Sequence, residues 1–510
     1  MRSLVRALDA AGVALALLAV VILVTGGVGV GALTLTRAED VVVALAAVVG
    51  TRLLLAPAAG PRWAPVSVVA GGAVAYTLVM GSIVVTRHLA FRTHALDLGY
   101  YVQVVWSIAA GRGPRVTLPP MHAWGDHLSP VLYLVAPLAW VFPVAPMLLV
   151  VQTALFAAGA FAVFGFARGA LGDARPAAAL AALYLVNPSL HGINIRDVHP
   201  AAFAIPLVIA AAWAFDARRH GWCVVALVAA LAGREDAAVA VVGFGVWLAL
   251  ARRRFTLGAT IAVAAVLLLW VEIQWVVPYF RGAPYQHLHQ RWARLGTSLP
   301  DILAGVVFRP WDWLGLLADG RKAVYLLALL APLGFLPLAA PRALAAALPG
   351  LAMNLLAVDP VLFHHRTQYQ AFVLPFLIVA AVEGYARLRA RAAGDGTRRV
   401  LVAAFALSVM LTARTVNDLT VSRWRHGPDE RAAAALLARV PPAVPVSVNE
   451  RLVPHLATRA EVFVHPFGAD RSEYILDRAA VTGPGPGWAL VAREGGWVLL
   501  RRQIASAKRG

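Results

Sequence analysis

AGVALALLAVVILVTGGVGVGAL, residues 11–33, carries no charged side chain from Ala11 to Leu33. At about 1.5 Å of helical rise per residue, such a run crosses a hydrocarbon core about 30 Å thick. Arg2 and Arg6 precede it. It exceeds the apolar stretch of a cleaved signal, about 7–15 residues, so it reads as a retained first helix with the N-terminus in the cytoplasm.

Comparable runs recur to about position 415 in a 510-residue chain that is 60% hydrophobic and 14% charged, with a mean hydropathy of +0.72. Water is excluded as the main solvent, and lipid forces helices because an unpaired backbone group there costs several kcal/mol. The fold class expected is an all-α polytopic transmembrane bundle of about 11–13 helices. The spans are expected near 11–33, 40–57, 64–86, 146–167, 176–193, 201–217, 254–277, 323–340, 343–357, 367–387 and 398–414, plus the hairpin between two basic turns. Those turns are Arg218-Arg219-His220 and Arg252-Arg253-Arg254. The stretch from Leu128 to Phe142, with Pro130 and Pro137, is short for a span and reads as re-entrant or interfacial.

The net charge of +19 sits in short clusters between apolar runs, which argues against a nucleic-acid face and for topology signals. The lone Cys223 lies in an apolar run and excludes an internal disulfide. After about Val416 the pattern changes. VPVSVNE, EVFVHPF, YILDRA, WALVARE and GGWVLLRR read as short strands preceded by the helix-like AAAALLARV. Residues 1–415 are therefore the transmembrane domain with an outer loop at 88–127, and 416–510 a small extracytoplasmic α/β domain.

The span count places four turns on one outer side: HALDLGYY, NIRDVHP, GRED and FHHRTQY. Ionisable groups at such depth call for a reason. Asp97 heads a stretch with Leu98, Tyr101, Val105 and Ile108 at helical spacing, suited to a surface helix. It is expected to cap that helix, to act as a general base, or both. Tyr100, Tyr101 and Gln103 stand beside it, and Asp126 and His127 close the same loop. Their spacing matches no strong metal motif, so no metal ligand set is assigned and substrate contact is expected. Arg196, Asp197 and His199, like Arg234, Glu235 and Asp236, either pair among themselves or use arginine on a phosphate and a carboxylate on a sugar hydroxyl. His364, His365, Arg366 and Tyr369 suit an anionic lipid head or an interfacial anchor, with His287 and His289 as lesser candidates.

DLGYYVQVVW (97–106), GDHLSPVLYLVAPLAW (125–140), Gln152, RDVHP, GRED, HHRTQY and the tail segments SVNERLVPHLATRAEVFVHPF and YILD together resemble a family of prokaryotic polytopic membrane proteins known as a domain of unknown function. More distantly, the acidic first loop with a following aromatic and the helix RPAAALAALYLVNP are similar to GT-C membrane glycosyltransferases. Leu98 stands where many of those have a second acid. That resemblance implies a transferase of the cytoplasmic membrane that uses a polyprenyl-phosphate sugar donor on the outer face. Asp97 would be its base, and Arg196, Arg234 or His365 would steady the leaving phosphate. The acceptor stays open between glycan, lipid and protein, and a divalent metal stays open too. No glycine-rich nucleotide loop is visible, so no nucleotide cofactor is expected. A transporter or flippase of lipid-linked substrates and a non-catalytic scaffold are the alternatives; transporters favour internal repeats and charges near mid-bilayer, which this pattern lacks.

Overall fold

The computed structural model describes residues 1–30, 33–56, 64–391, 395–420, 426–480, 482 and 485–503. Helices α1 (Arg2–Thr25), α2 (Ala38–Leu55) and α3 (Pro65–Leu89) follow the first three apolar runs. They are succeeded by α4 (Tyr100–Ala109), α5 (Val144–Leu171), α6 (Ala174–Leu185), α7 (Pro188–Asn194) and α8 (Ala204–Asp216). Next come α9 (His220–Leu231), α10 (Ala238–Ala251), α11 (Phe255–Val271), α12 (Gly320–Leu330), α13 (Leu374–Arg391) and α14 (Gly396–Val416). Five helices among the described residues are long and apolar enough to cross a membrane: Arg2–Thr25, Pro65–Leu89, Val144–Leu171, Phe255–Arg281 and Gly396–Leu419. Val13, Leu17, Val20 and Val24 on α1 and Val74 and Leu78 on α3 are exposed, an apolar surface that lipid would cover.

Several of the other apolar runs are divided at proline, which removes a backbone donor and clashes with the preceding turn. The run at 176–193 divides into α6 and α7 at Asn187-Pro188, where the Asn187 side chain accepts from Ser189 N and starts α7 afresh. The runs at 323–340 and 343–357 become α12 followed by single turns around Pro332, Pro337 and Pro341 and the short helix Leu348–Leu355. Leu132–Val135 and Ala136–Trp140 are single turns, too short to span by themselves.

Where α10 crosses α11, a Cβ on Gly245 would lie 2.5 Å from the Gly258 carbonyl oxygen, so both glycines are needed for the backbones to approach. At the end of this hairpin Arg252 forks onto Asp216 (2.7 and 2.6 Å) and reaches Glu383 at 2.9 Å, tying α8, α10 and α13 together.

The tail folds as expected into a five-stranded sheet. Its strands are β1 (Val446–Val448), β2 (Val462–Val464), β3 (Tyr474–Arg478), β4 (Trp488–Glu494) and β5 (Trp497–Arg502), in the order β2-β1-β3-β5-β4. β1 runs parallel to β2 and β3, and the β4–β5 hairpin is antiparallel. This unit is fastened to the loop between α3 and α5. The His455 ring stacks on His88 at 4.0 Å and meets Phe91 at 4.4 Å. Gln103 Nε2 donates to Thr117 Oγ1 (2.9 Å) and Arg459 O (3.2 Å), while Thr117 Oγ1 donates to Val462 O at 2.6 Å. Leu98, Val102 and Val105 share one apolar core with Leu452, Val453 and Leu476.

Gly99 is the closest point of this seam. A Cβ there would come within 2.9 Å of Val453 Cγ1 and 3.5 Å of Pro454 N. Gly99→Leu should therefore loosen the seam, overpacking typically costing about 1–3 kcal/mol. Hydrogen–deuterium exchange should rise in residues 100–109 and 453–456 and stay unchanged in α5 and α10; equal protection in the variant would show that the seam has slack.

Candidate active site

Asp97 sits in a π-helical turn, Ala95–Gly99, that runs directly into α4. The cap position falls on His94, with extended backbone, and makes no side-chain cap bond. The expected capping role of Asp97 is thus corrected: the π turn carries the residue inside the helix and leaves its half-buried carboxylate without a hydrogen bond among the described residues. A carboxylate oxygen of Asp97, a ring nitrogen of His94 and a carboxylate oxygen of Asp197 lie within 4.8 Å of one another.

Asp197 reaches this cluster from the corner after α7, with φ at 70°, a left-handed conformation that aspartate tolerates better than most residues. Its Oδ2 accepts from the His94 backbone (2.9 Å) and meets the His94 ring at 3.2 Å. The corner is held from α5. Gln152 donates to Asp197 O (2.8 Å) and accepts from His199 N (2.8 Å), while Thr153 and Asn194 complete a buried polar knot. His199 Nε2 meets Arg196 O at 2.7 Å, and the charges of Asp97 and Arg234 both act on its ring.

The GRED turn supplies a second layer. Arg234 is buried and forks onto Asp236, so this pair does satisfy itself, with Nε to Oδ1 at 2.7 Å. Glu235 instead is a hub: it meets His127 Nδ1 (2.8 Å) and accepts from Leu128 N (3.0 Å) and Tyr285 OH (2.9 Å). Asp126 meets His287 Nε2 at 3.1 Å, and the rings of His127 and His287 stack at 4.8 Å. Ligand atoms of Asp126, His127 and His287 fall within 4.8 Å, a donor set of the kind that holds a divalent transition metal. Sequence spacing misses it because His287 arrives from a separate loop.

Buried Tyr101 lies between the two layers and feels the charges of Arg234, Asp126, Glu235 and Asp97. Tyr100 donates to Ala123 O at 3.0 Å and braces the loop. Tyr369 joins from the far side, its ring facing Arg291 at 4.7 Å and Arg234 at 5.9 Å. Gln103 turns the other way, into the seam with the sheet domain. Arg196, His364, His365 and Arg366 form a neighbouring basic group, with the two histidine rings stacked at 5.3 Å. Arg281, Tyr285 and Arg291 were not singled out from the sequence, where PYFRGAPYQHLHQRW reads as part of an outer loop; the side chain of His289 lies outside the described residues.

A cavity of about 280 Å³ opens at this cluster. His127, Asp236, Tyr285, His287, Arg291 and Tyr369 form its polar end, and its wall is built from Val239, Leu269, Leu295, Ile302 and Met353 among other apolar side chains. It is an apolar slot with a charged head.

Burial opposes ionising Glu235, yet His127, Arg234 and the backbone donors outweigh it and hold its carboxyl below the usual range. Burial likewise opposes protonating His127, and Glu235 and Asp126 outweigh it and raise the imidazole above its ordinary 6.5. The Glu235 contribution is present above the normal carboxylate range and lost in acid. The His127 contribution is complete below about 6.5 and lost as pH climbs through the raised value. Thermal stability of the purified protein should accordingly decline as pH rises above about 6.5 and through the raised imidazole value, and Glu235→Gln should flatten that decline. An unchanged slope in the variant would remove the pair from the folding balance.

The family model described as Predicted membrane protein (DUF2079) matches residues 87–482. Among solved structures, ArnT from Cupriavidus metallidurans bound to undecaprenyl phosphate is similar with a TM-score of 0.51 at 16% identity, covering 85% of this chain and 98% of that one. The same protein in the apo state gives 0.49 at 16% identity, covering 86% and 99%. The Archaeoglobus fulgidus oligosaccharyltransferase in complex with Zn and sulfate gives 0.41 at 13% identity, covering 78% and 68%. No curated protein matches by sequence. At these identities the first likeness speaks for the fold, which is GT-C-like. By a match that spans the loop after α3, helices α4 to α14 and strands β1 to β3, the chain belongs to the DUF2079 family of predicted membrane proteins.

Proposed function

We propose that this protein is a membrane glycosyltransferase that takes a sugar from a polyprenyl-phosphate donor at the outer face of the cytoplasmic membrane. The observation that carries the reading is the apolar cavity whose charged end is formed by Arg291, Asp236 and His127, the last of these held by Glu235. A polyprenyl chain matches the apolar wall, and a phosphate matches Arg291, which stacks on Tyr369 and has no ion-pair partner among the described residues. ArnT, the relative with the same fold, was captured with undecaprenyl phosphate, which supports the same ligand class here.

Asp97 has the attributes of the base: half-buried, free of hydrogen bonds among the described residues, and close to His94 and Asp197. In this reading the acceptor oxygen bonds to the anomeric carbon as the bond from that carbon to the phosphate oxygen breaks. The acceptor proton passes to Asp97, and the polyprenyl phosphate leaves with the electron pair beside Arg291 and Arg234. Asp197 holds His94 beside Asp97, and Gln152 fixes the corner that carries Asp197. Should Asp126, His127 and His287 hold a divalent ion, it would supply positive charge at the phosphate end of the cavity.

Protein in lipid nanodiscs should bind undecaprenyl phosphate, and Arg291→Gln should weaken that binding roughly tenfold. Asp97→Asn should keep the lipid but fail to complement a deletion strain, since a general base contributes roughly 10²–10⁴-fold. Full complementation by a normally expressed Asp97→Asn protein would remove Asp97 from the chemistry and turn the reading toward a flippase or scaffold.

A further inference from the structure

Beside the Asp97 cluster lies a group of arginines that the proposed transfer does not use. Arg87 stands in the last turn of α3, Arg414 in the last turn of α14, and Arg196 just beyond the end of α7. Each placement has a simple local reason, because a cation at a helix C-terminus gains about 0.3–1 kcal/mol from the macrodipole. That reason does not account for Arg366, which belongs to no helix and is pressed against α7. A Cβ on Gly192 would fall 2.7 Å from Arg366 Cα, so the loop approaches only because Gly192 lacks one.

The strongest opposing fields on Arg366 come from Arg196 and Arg414, with Arg87 adding to them and Asp418 the carboxylate that counters. Asp418 stands 3.8 Å from Arg87. The Arg366 side chain has no ion pair or hydrogen bond among the described residues, and Arg196 is exposed. His364 and His365 line the same edge, and the charge of Arg196 bears on both rings. Arg87 and Arg366 are half-buried and Arg196 and Arg414 exposed, so the repulsion among these four guanidiniums is only partly screened by water. The chemistry that relieves this is a dianion with several acceptor oxygens, which guanidinium groups bind in forked pairs. A carboxylate or a zwitterionic head offers less charge and fewer acceptors.

We propose that Arg196 and Arg366, backed by Arg87 and Arg414, form a second anion site that takes a phosphate monoester, separate from the cavity at Arg291. The 364–369 loop links the two places, with His364 to Arg366 at this site and Tyr369 at the cavity head. The site stands on its own residues. Its assignment as the seat of an anionic group on the acceptor rests on the transfer reading above, with the acceptor hydroxyl then held across from the donor.

The test uses the full chain in phosphatidylcholine nanodiscs. Titration with inorganic phosphate should show saturable binding that falls roughly tenfold or more in Arg196→Gln/Arg366→Gln, with undecaprenyl phosphate binding retained. Doping the discs with phosphatidic acid separates the sources. Competition with inorganic phosphate in the wild type, lost in the double variant, assigns the site to a lipid head group; undiminished phosphate binding assigns it to a soluble phosphate. Arg196→Gln alone, at an exposed position, gives the same reading should the double variant misfold. Wild-type protein that binds neither probe, or variants that bind inorganic phosphate as tightly as wild type, would overturn the proposal. Failure to bind undecaprenyl phosphate would instead sink the transfer reading and leave this site standing.

Discussion

The carboxylate of Glu235 sits where the α9–α10 turn meets two loops that are distant in the chain, and it is almost wholly shielded from solvent. A charge in such a place is tolerable only when donors surround it. Those donors are His127 and the Leu128 backbone from the first loop and Tyr285 from the loop after α11. One buried charge thereby fixes three segments relative to one another. Because His127 and Tyr285 are held, Asp126 and His287 meet, Arg281 reaches Gly125 O at 3.1 Å, and the cavity gains its polar end.

Asp97 depends on a different device. A π turn, which adds a residue to the helical ladder, presents the carboxylate sideways instead of committing it to a cap. Asp197, in a left-handed corner, then takes the hydrogen bonds from His94 that set the neighbourhood, and Gln152 locks that corner from inside the bundle. Backbone departures of this kind survive where surrounding bonds over-determine them. The sheet domain adds to the restraint, since it packs Val453 and Pro454 directly on Gly99, two residues past Asp97. The bundle, the loop and the tail thus all bear on the turn that carries Asp97.

The apolar runs made the helical bundle legible, because spanning a bilayer is a requirement on length and composition that five of the described helices meet alone, while prolines divide several of the other runs. The alternating patterns of 446–502 made the sheet domain legible for the same local reason. GRED and RDVHP were visible as charge in apolar surroundings, but their pairing was not. Arg234 closes on Asp236, whereas Asp197 turns to His94 and the adjacent Arg196 makes no ion pair among the described residues. Gln103 looked like a neighbour of the base and is a clamp on the tail, because the six positions from Asp97, at about 100° of helix each, carry its side chain round toward β2.

Sequence alone settled that this chain is a lipid-embedded helical protein with polar turns and a terminal α/β unit, since hydropathy and periodicity are properties of contiguous residues. Tertiary structure decided which polar residues meet. His287 lies 161 positions from Asp126, and Glu235 lies 108 from His127. No local pattern encodes such contacts, which arise only when helices of set length bring their ends to one level and buried charges must find partners there.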